Sequence, residues 1–253
     1  MQGGVIMTKE LKIPDLIISE NGFCPGCGHG VMAKLLSNIF VDKHIDDIAI
    51  AAAAVGCGCM IKGTFGIDWV QAQHGRAAAV ASGMKKVRPD NFVFSYQGDG
   101  DAGSIGIAET IYAAKRNDNI TTFFINNGVF GMTGGQTAPT TLKDQITTTA
   151  KNGCDYNVFG EPLKLAELIS TFNVGYVARG SISSYKEMQK TKKYIETAID
   201  CQMNGNGYSF VEILSPCPTN WKLSPIQSLS RIDKEMMEFF NCGELKGNGG
   251  SSC

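Results

Sequence analysis

An apolar run, Phe92-Val93-Phe94-Ser95-Tyr96-Gln97, passes directly into Gly98-Asp99-Gly100-Asp101-Ala102-Gly103 and then into an apolar helical pattern. This order of strand, glycine loop and helix constrains the fold more than any other feature, because the alternation recurs along the chain. Strands are expected over residues 48–55, 92–96, 122–125, 174–178 and 210–213. Helices are expected near 30–40, 76–87, 105–115, 164–172, 184–203 and 233–240. The rhythm predicts an α/β fold: a doubly wound, mostly parallel sheet with helices on both faces. Ligands of such sheets sit outside the carboxyl ends of the strands, where the glycine loops fall. No internal repeat is present. Residues 1–242 read as a single domain, and the Gly/Ser-rich 243–253 as a flexible tail. Segment 128–160 is long, Thr-rich and weakly periodic, which marks a functional loop.

Charge excludes some functions. Lys and Arg total 23 against 24 Asp and Glu, a formal net charge of −1, so nucleic acid is not an expected partner. No basic stretch leads into an apolar secretory segment, and the longest apolar run, 48–55, is too short to span a bilayer. A cytoplasmic protein without membrane contact is expected. The nine cysteines are odd in number and lack a secretory context. They read as reduced thiols or a metal site rather than a disulfide framework.

The glycine loop has the spacing of a dinucleotide fingerprint but fails as one. The following strand ends in Asn126-Asn127 where a ribose-binding acid belongs, and Asp99 and Asp101 would repel a pyrophosphate. An EF-hand fails too, since Gly103 takes a ligand position and no Glu closes the loop. A cation reconciles the acids with a phosphate. Asp99 is a hard oxygen ligand suited to Mg²⁺, and the helix from about Ser104 aims its positive end at the same place. Asn127 and the Val129 carbonyl can complete the set. Gly98-Asp99-Gly100 followed by Asn126-Asn127 resembles the thiamine diphosphate motif.

Cys24-Pro25-Gly26-Cys27 precedes a helix. A structural zinc site needs a second such pair, a redox dithiol needs none, and an iron–sulfur cluster needs two further thiolates. Cys57 and Cys59 follow the first strand and Cys217 follows the last, so all three lie at the carboxyl edge of the sheet. Cys154, Cys201, Cys242 and Cys253 lie on other segments.

From Cys24 to about Pro225 the chain resembles the β subunit of the 2-oxoacid:ferredoxin oxidoreductases. The matching pieces are Cys24-Pro-Gly-Cys-Gly-His-Gly30, Gly56-Cys-Gly-Cys59, Gln73-His-Gly-Arg76, Gly98-Asp-Gly-Asp101, Asn126-Asn127, Gly131-Met-Thr-Gly-Gly-Gln-Thr137 and Ser215-Pro-Cys-Pro-Thr-Asn220. The resemblance implies the thiamine diphosphate-binding fold of the diphosphate-type domain. It implies a [4Fe–4S] cluster on Cys24, Cys27, Cys59 and Cys217, with Cys57 where the family more often has an aliphatic residue. It implies Mg²⁺ on Asp99, Asn127 and the Val129 carbonyl. Gly98, Gly100, Asp101, Gly131, Met132, Thr133 and Arg76 would then face the cofactor. His29, His74 and Thr133 are the catalytic candidates, while Lys62 and Gln136 are candidates for substrate contact. Phe130 stands where the family often has Tyr, and His44 reads as structural. The implied activity is CoA-acylating oxidative decarboxylation of a 2-oxoacid, with electrons leaving through the cluster to ferredoxin. Among substrates 2-oxoglutarate is favoured, then ketoisovalerate, then pyruvate. An alpha subunit carrying the pyrimidine-binding domain and its activating Glu is the implied partner, with gamma and delta subunits beyond it. Two rival readings are a non-oxidative thiamine decarboxylase and a non-catalytic electron-transfer subunit.

Overall fold

The computed structural model describes residues 13–247. In chain order the elements are α1 (Gly28–Asp42), β1 (Ala49–Ala53), β2 (Asp68–Gln71), α2 (Ala77–Val87), β3 (Phe92–Gly98), α3 (Ile107–Lys115), β4 (Thr121–Asn126), β5 (Val129–Phe130) and β6 (Gln136–Thr137). They continue with α4 (Tyr156–Phe159), α5 (Leu165–Ser170), β7 (Tyr176–Ser181), α6 (Tyr185–Met203), β8 (Ser209–Leu214), α7 (Pro218–Trp221), α8 (Pro225–Arg231), α9 (Met237–Phe239) and β9 (Gly243–Lys246). A 3₁₀ stretch, Cys57–Gly63, follows β1, and a π turn, Asp101–Ile105, precedes α3.

Seven strands form one sheet in the order β2-β1-β3-β4-β8-β7-β9. All neighbours pair in parallel except β7 and β9. The expected α/β class and mostly parallel sheet are thus present. Burial explains the unbroken apolar strands, because both faces are covered. Phe92, Phe94 and Tyr96 enter the core shared with α1 and α6, while Val93 enters the opposite core with α2, α3 and α5. The period-2 alternation of a strand divides them.

Three features depart from expectation. The edge strand β2 is mostly exposed and carries no apolar pattern. The helix expected over 233–240 begins at Pro225 behind a Ser224/Gln227 capping box and contains a π turn at Ile232–Met236. The stretch read as a tail from residue 243 begins instead as β9, an antiparallel edge strand. Glu244 accepts a hydrogen bond from the Tyr176 hydroxyl at 2.7 Å, and Lys246 donates to the Phe172 carbonyl at 2.5 Å. Polar pairing holds this strand, so hydrophobic periodicity does not mark it. Residues 248–253 lie outside the described region.

The chain leaves β1 outward to β2 and returns past it to β3. This reversal opens a crevice at the carboxyl ends of β1 and β3. The 127–163 segment closes over it as a small β5–β6 hairpin, with Thr141 and Gln145 both donating to the Gly128 carbonyl. Among the described residues no helix is long and apolar enough to cross a membrane.

Candidate active site

A cleft of about 590 Å³ lies at this reversal, lined by the loops after β1, β2, β3 and β4 and by the first turn of α1. Asp99 forms its buried floor. Its Oδ2 accepts from the Asn127 and Gly128 amides at 3.1 and 2.6 Å and from the Thr140 hydroxyl at 2.7 Å. Among the described residues Oδ1 accepts only from the Gly100 amide, at 2.8 Å, which leaves it open to a cation. Burial pushes the Asp99 carboxyl up to about 6 despite those donors. A buried, hydrogen-bonded carboxylate with one oxygen open fits a hard divalent ion. The Asn127 side chain and Val129 sit beside it, the Asn127 oxygen accepting from the Val129 amide at 3.2 Å. A Cβ on Gly100 would stand 2.2 Å from the Phe130 ring, so glycine lets that ring close over the loop. The chain therefore offers a fitting cradle for Mg²⁺ and a diphosphate.

The two asparagines divide the work. Successive strand residues point to opposite faces, and Asn126 turns into the sheet to donate to Glu212 at 2.7 Å. Glu212 is fully buried and paired with Arg179 at 2.9 Å. Asn127 alone faces the cleft. Trp221 fixes its backbone by donating to its carbonyl at 3.0 Å.

Asp101 lines the cleft as expected and also ties the neighbouring loop to it. Its oxygens accept from the Gly75 amide at 2.8 Å, from Gln97 at 2.6 Å and from His74 Nδ1 at 2.5 Å. It therefore braces the His74 loop. That loop meets the π turn so closely that a Cβ on Gly106 would stand 2.4 Å from the Gly75 carbonyl oxygen.

Cys57 lines the same cleft, and the other thiols of the predicted set lie near it. Gly28 explains their approach: a Cβ there would lie 2.0 Å from Ser215 Oγ and 2.9 Å from Pro216. Glycine thus lets the Cys24–Cys27 turn dock on the loop holding Cys217. Burial pushes the Cys27 thiol up to about 12, with Cys217, Cys57 and Cys24 adding to the shift. Burial pushes Cys57 up to about 11, with Cys217, Cys24 and Cys59 adding. A Cβ on Gly131 would lie 3.2 Å from Cys57 Sγ and 4.0 Å from Cys217 Sγ. Cys24, Cys27, Cys57, Cys59 and Cys217 thus lie near one another at this edge. Cys59, expected as the fourth ligand, sits two residues beyond Cys57 in the same 3₁₀ stretch. With three residues per 3₁₀ turn, positions two apart point in different directions. Among the described residues no three His, Cys, Asp or Glu side chains gather around a single-ion position.

Other candidates are held elsewhere. Lys62 donates to Gln71 at 2.5 Å, and Arg76 pairs with Glu109 at 2.8 Å. Neither lines the cleft. Gln136 and Thr133 bond each other, closing the β5–β6 loop, and Thr133 and Met132 line the cleft. His29 lies buried in the wall, with Nδ1 2.8 Å from the Tyr96 hydroxyl, and burial pushes it down to about 4. His44 lies away from the cleft at positive φ. Sequence reasoning missed Tyr96, Thr140 and Asn220. Asn220 donates to Cys217 Sγ at 3.3 Å and to the Gly131 carbonyl at 3.1 Å. Asn220 lay inside a matched motif and was the one within reach of sequence reasoning.

Residues 48–213 match the family model of the thiamine pyrophosphate enzyme C-terminal TPP binding domain. The 2-oxoglutarate synthase subunit KorB of Archaeoglobus fulgidus is 34% identical over 210 residues, 83% of this chain and 74% of that one. This chain belongs to the 2-oxoacid:ferredoxin oxidoreductase β-subunit family. Another member of this oxidoreductase group, the ketoisovalerate oxidoreductase subunit VorA of Methanothermobacter thermautotrophicus, is 41% identical over 217 residues. That match covers 85% of this chain, which spans only 45% of the length of VorA. The β-subunit fold also matches the solved 2-oxoglutarate:ferredoxin oxidoreductase from Magnetococcus marinus, described with 2-oxoglutarate, coenzyme A and succinyl-CoA bound. The TM-score is 0.79 at 24% identity, covering 98% of this chain and 88% of that one.

Proposed function

We propose that this chain is the diphosphate-binding half of a CoA-acylating 2-oxoacid:ferredoxin oxidoreductase. The observation that carries the reading is that Cys57, from the thiol set, lines the same cleft as Asp99, Asn127 and Val129. An electron exit thus adjoins a metal–diphosphate cradle. Asp99, Asn127 and the Val129 carbonyl would hold Mg²⁺. Cys24, Cys27, Cys59 and Cys217 would hold a [4Fe–4S] cluster, with Cys57 beside them. Bound thiamine diphosphate would supply the carbon nucleophile and electron sink for decarboxylation. The chain's own contribution is positioning: Thr140 and the 127–128 amides orient Asp99, Asp101 holds the His74 loop, and Asn220 donates to Cys217 sulfur. The partners are an alpha subunit bringing the pyrimidine-binding domain and its Glu, gamma and delta subunits, ferredoxin and coenzyme A. The setting is a cytoplasm poor in oxygen.

The cleft favours a branched-chain 2-oxoacid such as ketoisovalerate. Its lining includes Val55, Phe130 and Met132, while Lys62 and Arg76 are engaged elsewhere. An aliphatic side chain fits that wall, and a second carboxylate finds no Lys or Arg in it among the described residues. The 41% identity to VorA supports this choice. The second reading is 2-oxoglutarate, favoured by the sequence motifs and supported by the KorB relatives. The test is CoA-dependent ferredoxin reduction by the complex co-expressed with its partner under anaerobic conditions. A kcat/KM at least tenfold higher for ketoisovalerate than for 2-oxoglutarate is expected. The reverse ratio would establish the second reading, and turnover of neither would end both.

A further inference from the structure

Tyr96 is an interior residue of β3, yet its hydroxyl reaches the cleft wall. It meets Nδ1 of His29 at 2.8 Å. His29 lies on the first turn of α1, 2% exposed, and lines the cleft. Phe23 stacks on its ring at 5.3 Å and 25°. Gly58 leaves room for both partners: a Cβ there would stand 3.2 Å from the Tyr96 ring and 3.5 Å from His29 Cε1. The imidazole is therefore held from several sides.

Hydrogen-bond accounting sets its tautomer. Tyr96 is fully buried, and burial keeps its phenol protonated by pushing it well above the usual range. Its O–H is a donor, and His29 Nδ1 is the acceptor it meets among the described residues. Were Nδ1 to carry the proton and donate instead, the buried phenol proton would be stranded, which is the costly outcome. We propose that Tyr96 donates to Nδ1 and so holds His29 as the Nε2–H tautomer, giving the cleft an N–H donor for an oxygen of the 2-oxoacid.

The second half of this proposal rests on the reading of the cleft given above. The other candidates for substrate contact are engaged: His74 Nδ1 with Asp101, Lys62 with Gln71 and Arg76 with Glu109. His29 Nε2 has no protein acceptor among the described residues. A preset N–H on a residue that lines the cleft needs no reorganisation when the substrate arrives. His29 is the contacting residue and Tyr96 a positioning residue.

The chain has only three histidines, His29, His44 and His74, so ¹⁵N-histidine NMR of the full chain is interpretable. Signals are assigned by replacing His44 and His74 singly. The expected result is an unprotonated, hydrogen-bonded Nδ1 and a protonated Nε2 on His29. Tyr96→Phe should spread His29 over both tautomers and, in the co-expressed complex, raise the KM for the 2-oxoacid about tenfold with the KM for coenzyme A unchanged. A proton on Nδ1 in the unmodified chain would overturn the proposal, as would a His29 signal indifferent to Tyr96→Phe. A complex that turns over no 2-oxoacid would overturn the substrate half alone, because the NMR readout needs no substrate.

Discussion

Two regions of one cleft are built on opposite principles. Around Asp99 the backbone is complete before any ligand arrives: three amides and one hydroxyl already bind the carboxylate. Around Cys27, Cys57 and Cys217 the side chains carry few donors, and burial raises all three thiols. The first region is a cradle that orients one charge. The second is a set of neutral thiols whose thiolate form needs a metal to stabilise it. The two should therefore fail separately and by different signatures.

The largest expected effect tests that separation. Cys217→Ser should remove iron from the complex and lower ferredoxin reduction at least 100-fold while thiamine diphosphate is retained. Asp99→Asn should do the converse, losing thiamine and keeping iron. Iron and thiamine assays on both variants decide it, and joint loss in either would break the comparison. A sharper cut within the thiol region follows. Cys59→Ser should lose most of the iron and Cys57→Ser should keep it, as read by iron content and low-temperature EPR after reduction. The reverse pattern would put Cys57 in the ligand set.

Proton linkage distinguishes the regions next. The Asp99 carboxyl lies above its unfolded value in the metal-free chain. Its ionisation therefore destabilises that chain above about pH 6, and the penalty is relieved as pH falls toward 4. Mg²⁺ must displace the proton below that point. Its affinity with thiamine diphosphate should rise up to tenfold per pH unit approaching pH 6 and level off above 7, as calorimetry would measure. A flat profile across that range would contradict the raised carboxyl. Thr140→Val removes one donor to Asp99 and should weaken cofactor binding by about 2 kcal/mol. Arg76→Ala should have the smallest effect, under about 1 kcal/mol on stability, with thiamine retention unchanged. A large loss of cofactor would restore Arg76 to the site.

How much of this was legible in the sequence follows from the range of the interactions. Gly98-Asp99-Gly100 and Asn126-Asn127 are local signals at strand ends, and their meeting follows from parallel pairing of β3 with β4. Arg76 and Lys62 could not be judged locally, because Glu109 and Gln71 claim them through tertiary contact. Tyr96 reads as a core aromatic in an apolar strand, and only packing reveals that its hydroxyl meets His29. The choice between Cys57 and Cys59 turns on the phase of one 3₁₀ turn, which spacing alone does not set. β9 has no apolar pattern and is held by an edge ladder and two side-chain hydrogen bonds.

The measurement that tests the central claim most directly is the iron, acid-labile sulfide and thiamine content of the complex purified anaerobically with its partner subunit. The account predicts about four iron and four sulfide per chain together with retained thiamine diphosphate. Thiamine without iron would contradict it: the cleft would then serve a non-oxidative decarboxylase, and the four thiols would be structural.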